Sequence, residues 1–301
     1  MRLRSLCLSA LCAFTAAATS ACNDQPDLAD SGLQPSPASA DAEAPAILLA
    51  AGDIAGCAEH YKDEVTAELL ATLPGTIVPL GDLVYQNGTR WQFRNCYDPN
   101  WGRLLSRTRP APGNHEYRTN EGAPYYEYFG TLAGPKGKGY YTYTLGAWRI
   151  YSLNSERNIP AQTRWLKKQL KANPSQCVLA YWHKPLYSSG DVAPTPEVRP
   201  LFDALVRARA EVVLSAHQHN YERFAPQDAD SNKKARGTRQ FVVGTGGSEL
   251  RPFGGVAKNS LVRYNVGHGV LRMTLSPGMY SWNFLPVPGA PPADSGSANC
   301  T

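Results

Sequence analysis

The chain has 301 residues, of which 43% are hydrophobic and 10% aromatic. That is ample material for a sizeable core, and it excludes a disordered or fibrous polymer. Its formal charge of +5 comes from 30 Lys and Arg against 25 Asp and Glu, and apart from Lys233-Lys234-Ala235-Arg236 the bases form no block, so nucleic acid is not indicated as a partner.

Residues 1–21 read as a signal peptide. Arg2 and Arg4 make a basic start, and Leu6 to Ala18 is apolar but too short to span a bilayer. Thr19-Ser20-Ala21 supplies small residues for cleavage. Cys22 follows directly, as the acylated first residue of a bacterial lipoprotein would, although Thr19 stands where such signals usually carry Leu. Two readings of Cys22 are open: lipid attachment to a membrane, or an incidental cysteine after ordinary cleavage. Residues 22–44 read as a disordered linker, a lipoprotein tether under the first reading. Residues 23–44 hold the acids Asp24, Asp27, Asp30, Asp41 and Glu43, no base, and no aromatic or β-branched residue. The expected location is therefore outside the cytosol, periplasmic or extracellular. Without residues 1–44, 28 Lys and Arg face 20 Asp and Glu, about +8, a balance that favours anionic substrates.

Residues 45–301 read as one α/β catalytic domain with an irregular tail over Pro286 to Ser297. Short apolar runs at 46–50, 76–80, 177–182 and 211–215 suit strands covered on both faces. Pro79 inside the second fits only near a strand end or bulge. Helical spacing marks 63–73, a segment opened by Pro160, and 198–209. Further strands are predicted at 140–145, 148–153, 240–243, 270–275 and 280–285. Two packed mixed sheets flanked by helices follow from this order. Beyond Cys22, four cysteines remain in the exported part. An oxidising compartment allows two disulfides in three pairings, or free thiols. Cys57 and Cys96 both lie just past metal-motif loops, which favours that pair and leaves Cys177 with Cys300.

The apolar runs end in hard-metal donors: Gly52-Asp53, Gly81-Asp82-Leu83-Val84-Tyr85, Trp182-His183-Lys184 and Ala216-His217-Gln218-His219, with Gly113-Asn114-His115-Glu116 between them. A lone Asp after a strand is more often a helix cap, and a lone His more often a satisfied core residue. Two Gly-Asp pairs with a His-x-His make those readings a minority. A buried carboxylate must pair, hydrogen-bond or bind a cation, and His217 and His219 lie on one face of an extended segment. His60 reads as solvated surface. Tyr125, Tyr126, Tyr128 and Phe129 read as packing, with stacking on a base or sugar as the other option.

In this order the motifs resemble the calcineurin-like metallophosphoesterases, and most of all their purple acid phosphatase branch. Many relatives place His two residues after the first Asp; here Ala55 stands there. The purple branch instead uses a Tyr three residues after the second Asp, where Tyr85 lies. The runs 217–223 and Val266-Gly267-His268-Gly269 are also similar to that branch, with His268 read as structural. The resemblance covers about residues 46–285 and implies a four-layer αββα fold.

It further implies that Asp53, Tyr85 and His219 bind one metal and Asn114, His183 and His217 a second, with Asp82 bridging them. The first donor set suits Fe(III), and the second a divalent Zn, Fe or Mn. The implied reaction is hydrolysis of a small phosphate ester, most simply a monoester, by direct attack of metal-bound hydroxide. His115 would contact the phosphate or protonate the leaving oxygen, and Glu116 and Asn87 would support the ligands. Two departures stand out. No His occurs between Lys184 and Ala216, so Lys184, Tyr187 or Arg223 would have to replace substrate-contacting histidines. Ala216 also replaces the usual Gly. A phosphodiesterase or nucleotidase with the same metals, and a non-catalytic surface-binding lipoprotein, are the alternative functions.

Overall fold

The computed structural model describes residues 44–301. The expected signal, Cys22 and the linker up to residue 43 lie outside the described residues.

Two mixed sheets form the body. The first holds β1 (Ala46–Ala51), β2 (Thr76–Pro79), β10 (Gly269–Ser276), β11 (Met279–Pro286) and β12 (Ser295–Asn299), in the order β12-β11-β10-β1-β2. The second holds β3 (Tyr141–Leu145), β4 (Trp148–Ser152), β5 (Cys177–Tyr181), β6 (Val212–Ser215), β7 (Tyr221–Phe224), β8 (Arg239–Val243) and β9 (Ser260–Tyr264), in the order β3-β4-β5-β6-β8-β7-β9. β1 and β2 are parallel, as are β4, β5, β6 and β8. Helices α1 (Asp63–Ala71), α2 (Arg90–Gln92), α3 (Ala123–Phe129), α4 (Ile159–Ala172) and α5 (Arg199–Arg207) complete the frame.

The two-residue period of a strand divides the second sheet between two cores. Cys177, Leu179 and Tyr181 of β5 and Val212 and Leu214 of β6 enter the core shared with the first sheet. Their neighbours Val178, Ala180 and Val213 face the other way, onto Leu166 of α4 and Leu201, Phe202 and Leu205 of α5. Each fully buried Leu or Phe there contributes roughly 1.5–3 kcal/mol from area removed from water. Both faces are covered, which is why these strands read as unbroken apolar runs.

Pro79 ends β2, an edge strand of its sheet, the position where a proline is tolerated. Pro160 lies at the N-terminus of α4, as expected. Disulfides Cys57–Cys96 and Cys177–Cys300 follow the favoured pairing. Among the described residues, no helix is long and apolar enough to cross a membrane.

The tail departs from expectation. Residues 287–294 form a loop, but β12 then pairs antiparallel with β11. Its Ser, Gly and Ala side chains carry no apolar signal. The pairing depends on Cys300, tethered to Cys177, and on Gly296, where a Cβ would lie 2.4 Å from Trp282. Asp294 fixes the approach to this strand. It accepts from Tyr221 Oη (2.6 Å), Arg223 Nε (2.6 Å) and Nη2 (3.0 Å), and Trp282 Nε1 (3.0 Å). Asp294→Ala leaves a largely buried guanidinium uncompensated. The expected loss is about 3–5 kcal/mol in denaturant unfolding, with metal content unchanged; a loss under about 1 kcal/mol assigns this network no structural weight.

Candidate metal centre

The motifs meet where the carboxyl ends of β1, β2, β5 and β6 converge. β1 and β2 stay paired past their regular ends: Asp53 N donates to Gly81 O (3.1 Å) and Ile54 N to Asp82 O (2.9 Å). That sets Asp53 and Asp82 side by side. In the other sheet, Ala216 N donates to His183 O (2.8 Å), aligning His183 with the His-x-His segment. Gly52 N donates to Val243 O (2.8 Å) and ties the two sheets together at this point. Asp53, Asp82 and His217 all have positive φ (58°, 49° and 69°), which an L-residue holds only when its surroundings dictate it.

The side chains gather around Asp82. Its Oδ2 lies 3.1 Å from His183 Nε2, 3.4 Å from Tyr85 Oη and 3.7 Å from His115 Nε2. On one side, Tyr85 Oη donates to Asp53 Oδ1 (2.9 Å) and lies 3.1 Å from His219 Nε2. On the other, His217 Nδ1 lies 3.1 Å from His183 Nε2. The ligating atoms of Asp82, His183 and His217 all fall within 4.8 Å of one another. His183 Nδ1 faces Leu80 O (2.9 Å) and His219 Nδ1 faces Glu249 O (2.8 Å), so each ring turns its Nε2 inward.

The centre fits cations. Asp53 Oδ2 and Asn114 Oδ1 are buried without a hydrogen-bond partner. Orphaned oxygens of that kind are costly unless an ion takes them. Burial pushes the Asp53 carboxyl above its ordinary value. Burial pushes Asp82 up too, but His183 and His115 outweigh it and hold it below the usual carboxylate range. Burial pulls His183 down, and the Asp82 carboxylate beside it carries it up to about 10. Burial and His183 together push His217 down to about 3. Burial, with Asp53 next, raises the Tyr85 phenol far above its ordinary value. Carboxylates, a phenol, an amide oxygen and imidazoles with inward lone pairs form a donor set for hard and borderline ions.

Glu116 organises the loops. Fully buried, it accepts from the backbone N–H of Asp82 (2.9 Å), Leu83 (2.9 Å), Val84 (3.3 Å) and Gly113 (2.7 Å). Burial and the Asp82 charge push its carboxyl up to about 8, against the pull of those donors. Gly113 permits the close approach, since a Cβ there would lie 2.2 Å from Asp82 N. Ala216 is accommodated because it packs on Gly52, where a Cβ would meet Ala216 Cβ at 2.5 Å.

Other expected residues lie elsewhere. Asn87 is exposed, and its backbone rather than its side chain is engaged, N–H to Gln92 Oε1 and C=O from Thr119 Oγ1. Lys184 pairs with Glu156 (2.8 Å), Tyr187 Oη donates to Asp228 O (2.7 Å), and Arg223 is held by Asp294, so none of the three lines the pocket over the centre. Tyr125 and Phe129 are core, Tyr128 stacks on Phe93 (5.0 Å), and Tyr126 meets Tyr117 Oη (2.8 Å), so this aromatic run is packing. His268 Nε2 meets Ser248 O (2.9 Å), as a structural residue.

The pocket encloses about 310 Å³. Its walls add Tyr61, Gln86, Arg118, Glu249 and Arg251, all missed in the sequence, and His60, expected only as surface. These residues come from loops, where no periodicity marks them. His115 lines the same pocket, with Nδ1 2.6 Å from Gln86 O.

Two packed mixed sheets with the candidate donors gathered at one end define the fold class. The chain belongs to the calcineurin-like phosphoesterase family, whose model matches residues 40–221. It is similar to purple acid phosphatase 21 of Arabidopsis thaliana, 27% identical over 190 residues, covering 52% of this chain and 42% of that protein. Its fold is that of the purple acid phosphatase from yellow lupin (Lupinus luteus) seeds, with a TM-score of 0.73 at 18% identity, covering 85% of this chain and 54% of that one. It also matches GAP50, the anchor in the inner membrane complex of Plasmodium, at TM-score 0.65 and 15% identity over 86% and 90% of the two chains. The chain thus spans about half the length of the purple acid phosphatases it matches.

Glu116→Gln places an amide N–H₂ against backbone donors. The expected result is a loss of roughly 1–3 kcal/mol in stability and about tenfold weaker metal retention, read by thermal melts and metal titration. Wild-type behaviour in both would show that the four hydrogen bonds do not position Asp82.

Proposed function

We propose that this chain is an exported, two-metal phosphomonoesterase of the purple acid phosphatase type. One observation carries the reading: Asp53, Tyr85 and His219 gather on one side of Asp82, and His183 and His217 on the other, with Asp82, Tyr85, His217 and His219 lining a solvent-open pocket. Asp53, Tyr85 and His219 would hold Fe(III); Asn114, His183 and His217 would hold a divalent Zn, Fe or Mn; Asp82 would serve both. When bound, the ions supply Lewis acidity toward the phosphoryl oxygens and lower the pKa of water.

The chain's own residues complete the site. Glu116 fixes the backbone that aims Asp82. The Gln86 carbonyl orients His115, whose Nε2 faces the reacting region 3.7 Å from Asp82 Oδ2. His115 thus contacts the phosphate or delivers the proton to the leaving oxygen. Two disulfides support an oxidising location. Retention of every expected donor argues against a non-catalytic binding protein. Phosphate diesters and nucleotides belong in the first substrate panel, since the donor set serves them equally.

Two experiments test this reading. Elemental analysis of the purified chain is expected to give about two metal ions, one of them iron, with a visible charge-transfer band that Tyr85→Phe removes. Two non-iron metals would overturn the ferric site, and no retained metal would overturn the enzyme. In kinetics, Asp82→Asn is expected to lose both activity and metal. His115→Asn should keep the metal and lose about 10²–10⁴-fold in kcat, more for poor leaving groups than for good ones. A leaving-group dependence unchanged from wild type would remove His115 from the proton-transfer role.

A further inference from the structure

We propose that the preferred substrate carries a second anionic group, a phosphate or a carboxylate on its leaving side, and that Arg118 and Arg251 at the pocket mouth receive it. This rests on the phosphoesterase reading above and narrows its substrate class.

Both arginines are exposed and line the same pocket as Asp82, Tyr85, His115, His217 and His219. They enter on separate segments anchored to the centre. Arg118 ends the short turn that begins after His115, and its Nη1 donates to Gln86 O (3.1 Å), the carbonyl that also meets His115 Nδ1. One nitrogen is thereby tied to the loop that orients His115, and the other donors remain open. Arg251 hangs from the other wall, where its backbone N–H donates to His219 O (2.9 Å).

Their charge is not spent on the protein. Like most arginines among the described residues, neither Arg118 nor Arg251 pairs with a carboxylate, but these two line the pocket. The other side chains at this mouth are His60, Tyr61, Gln86, Val192, Ser248 and Glu249. Glu249 is the only carboxylate in the lining besides Asp82. Two planar guanidinium groups with free donors suit bidentate binding of phosphate or carboxylate. A neutral leaving group would receive only weaker hydrogen bonds, without the charge-assisted, bidentate pairing. The scissile phosphate would be met by the metal ions that the donors hold and by His115, so the arginines are placed for a group farther along the substrate.

Three substrates with one propyl leaving skeleton test this on the metal-loaded protein: 3-hydroxypropyl phosphate, propane-1,3-diyl bisphosphate and 3-phosphooxypropanoate. The wild type is expected to favour a doubly anionic substrate over the hydroxypropyl ester by about tenfold or more in kcat/KM, mainly through KM. The larger of the two gains identifies phosphate or carboxylate as the second group. R118Q with R251Q should bring the ratio close to one, and E249Q should raise it. Calorimetric titration with propane-1,3-bisphosphonate and propylphosphonate gives an independent readout, and the affinity gap should collapse in the double variant. Hydrolysis of all three esters at equal efficiency would overturn the proposal and leave the phosphoesterase intact. Hydrolysis of none would sink the phosphoesterase reading. In that case equal binding of the two phosphonates overturns this proposal as well, and a gap that depends on the arginines upholds the anion site.

Discussion

The structure depends on how two dry carboxylates are kept next to each other. Asp53 and Asp82 are 0% and 2% exposed, at the ends of adjacent parallel strands. Like charges so placed repel strongly in a low-dielectric interior, and hydrogen bonds alone do not offset the desolvation. Tyr85, the imidazoles of His115, His183 and His219, and the backbone N–H that His115 donates to Asp82 Oδ1 take part of the load. Oxygens on Asp53 and Asn114 stay unmatched. Such an arrangement fits a cage for positive charge, and under the proposed function the fold and the chemistry share that one constraint.

Keeping these side chains fixed falls to groups outside the candidate donor set. The Glu116 carboxylate gathers four amides from the two loops flanking Asp82. Buried Gln218, between the two histidines, bonds Val192 through both ends of its amide (3.2 and 2.7 Å). That contact joins the His-x-His segment to the loop after β5. Glu222 does the same for Ser189, accepting from its N–H (2.7 Å) and its hydroxyl. Disulfide Cys57–Cys96 closes the loop after Asp53 onto the segment following Tyr85. Positive φ angles at Asp53, Asp82 and His217 fit this picture, since strained backbone persists only when its neighbours over-determine it.

Much of this was legible in the sequence because burial on both faces writes itself as apolar runs. β1, β2, β5 and β6 could be found that way, and the donors other than Asn114 follow each run by one to five residues. Antiparallel β10 and β11 showed through alternation. Three kinds of element were not legible. β7 and β9 are short and carry charges, as in Tyr221-Glu222-Arg223-Phe224, so neither period emerges. β12 is Ser-Gly-Ser-Ala-Asn, held by partners distant in sequence. The segment 93–107 forms π- and 3₁₀-type turns stabilised by packing of Phe93, Tyr97 and Trp101, which no local propensity encodes. The aromatic run 125–129 lay in plain view, but only its contacts decide between packing and ligand stacking.

The site itself divides along the same line. The donors sit at strand ends, where β-sheet geometry fixes their spacing and the sequence shows them in order. The residues that would meet the rest of a substrate, from His60 to Arg251, sit on loops that meet only after folding. Strand ends cannot move without breaking both sheets, so the metal donors have little freedom to vary. A loop residue such as Arg118 or Arg251 can change while leaving every strand pair intact, as surface substitutions usually cost little. Selectivity can therefore shift on a centre that stays constant. For the same reason, motifs strong enough to show the family say little about the molecule such a protein acts upon, and under the proposal above the arginine pair at the mouth would carry that information.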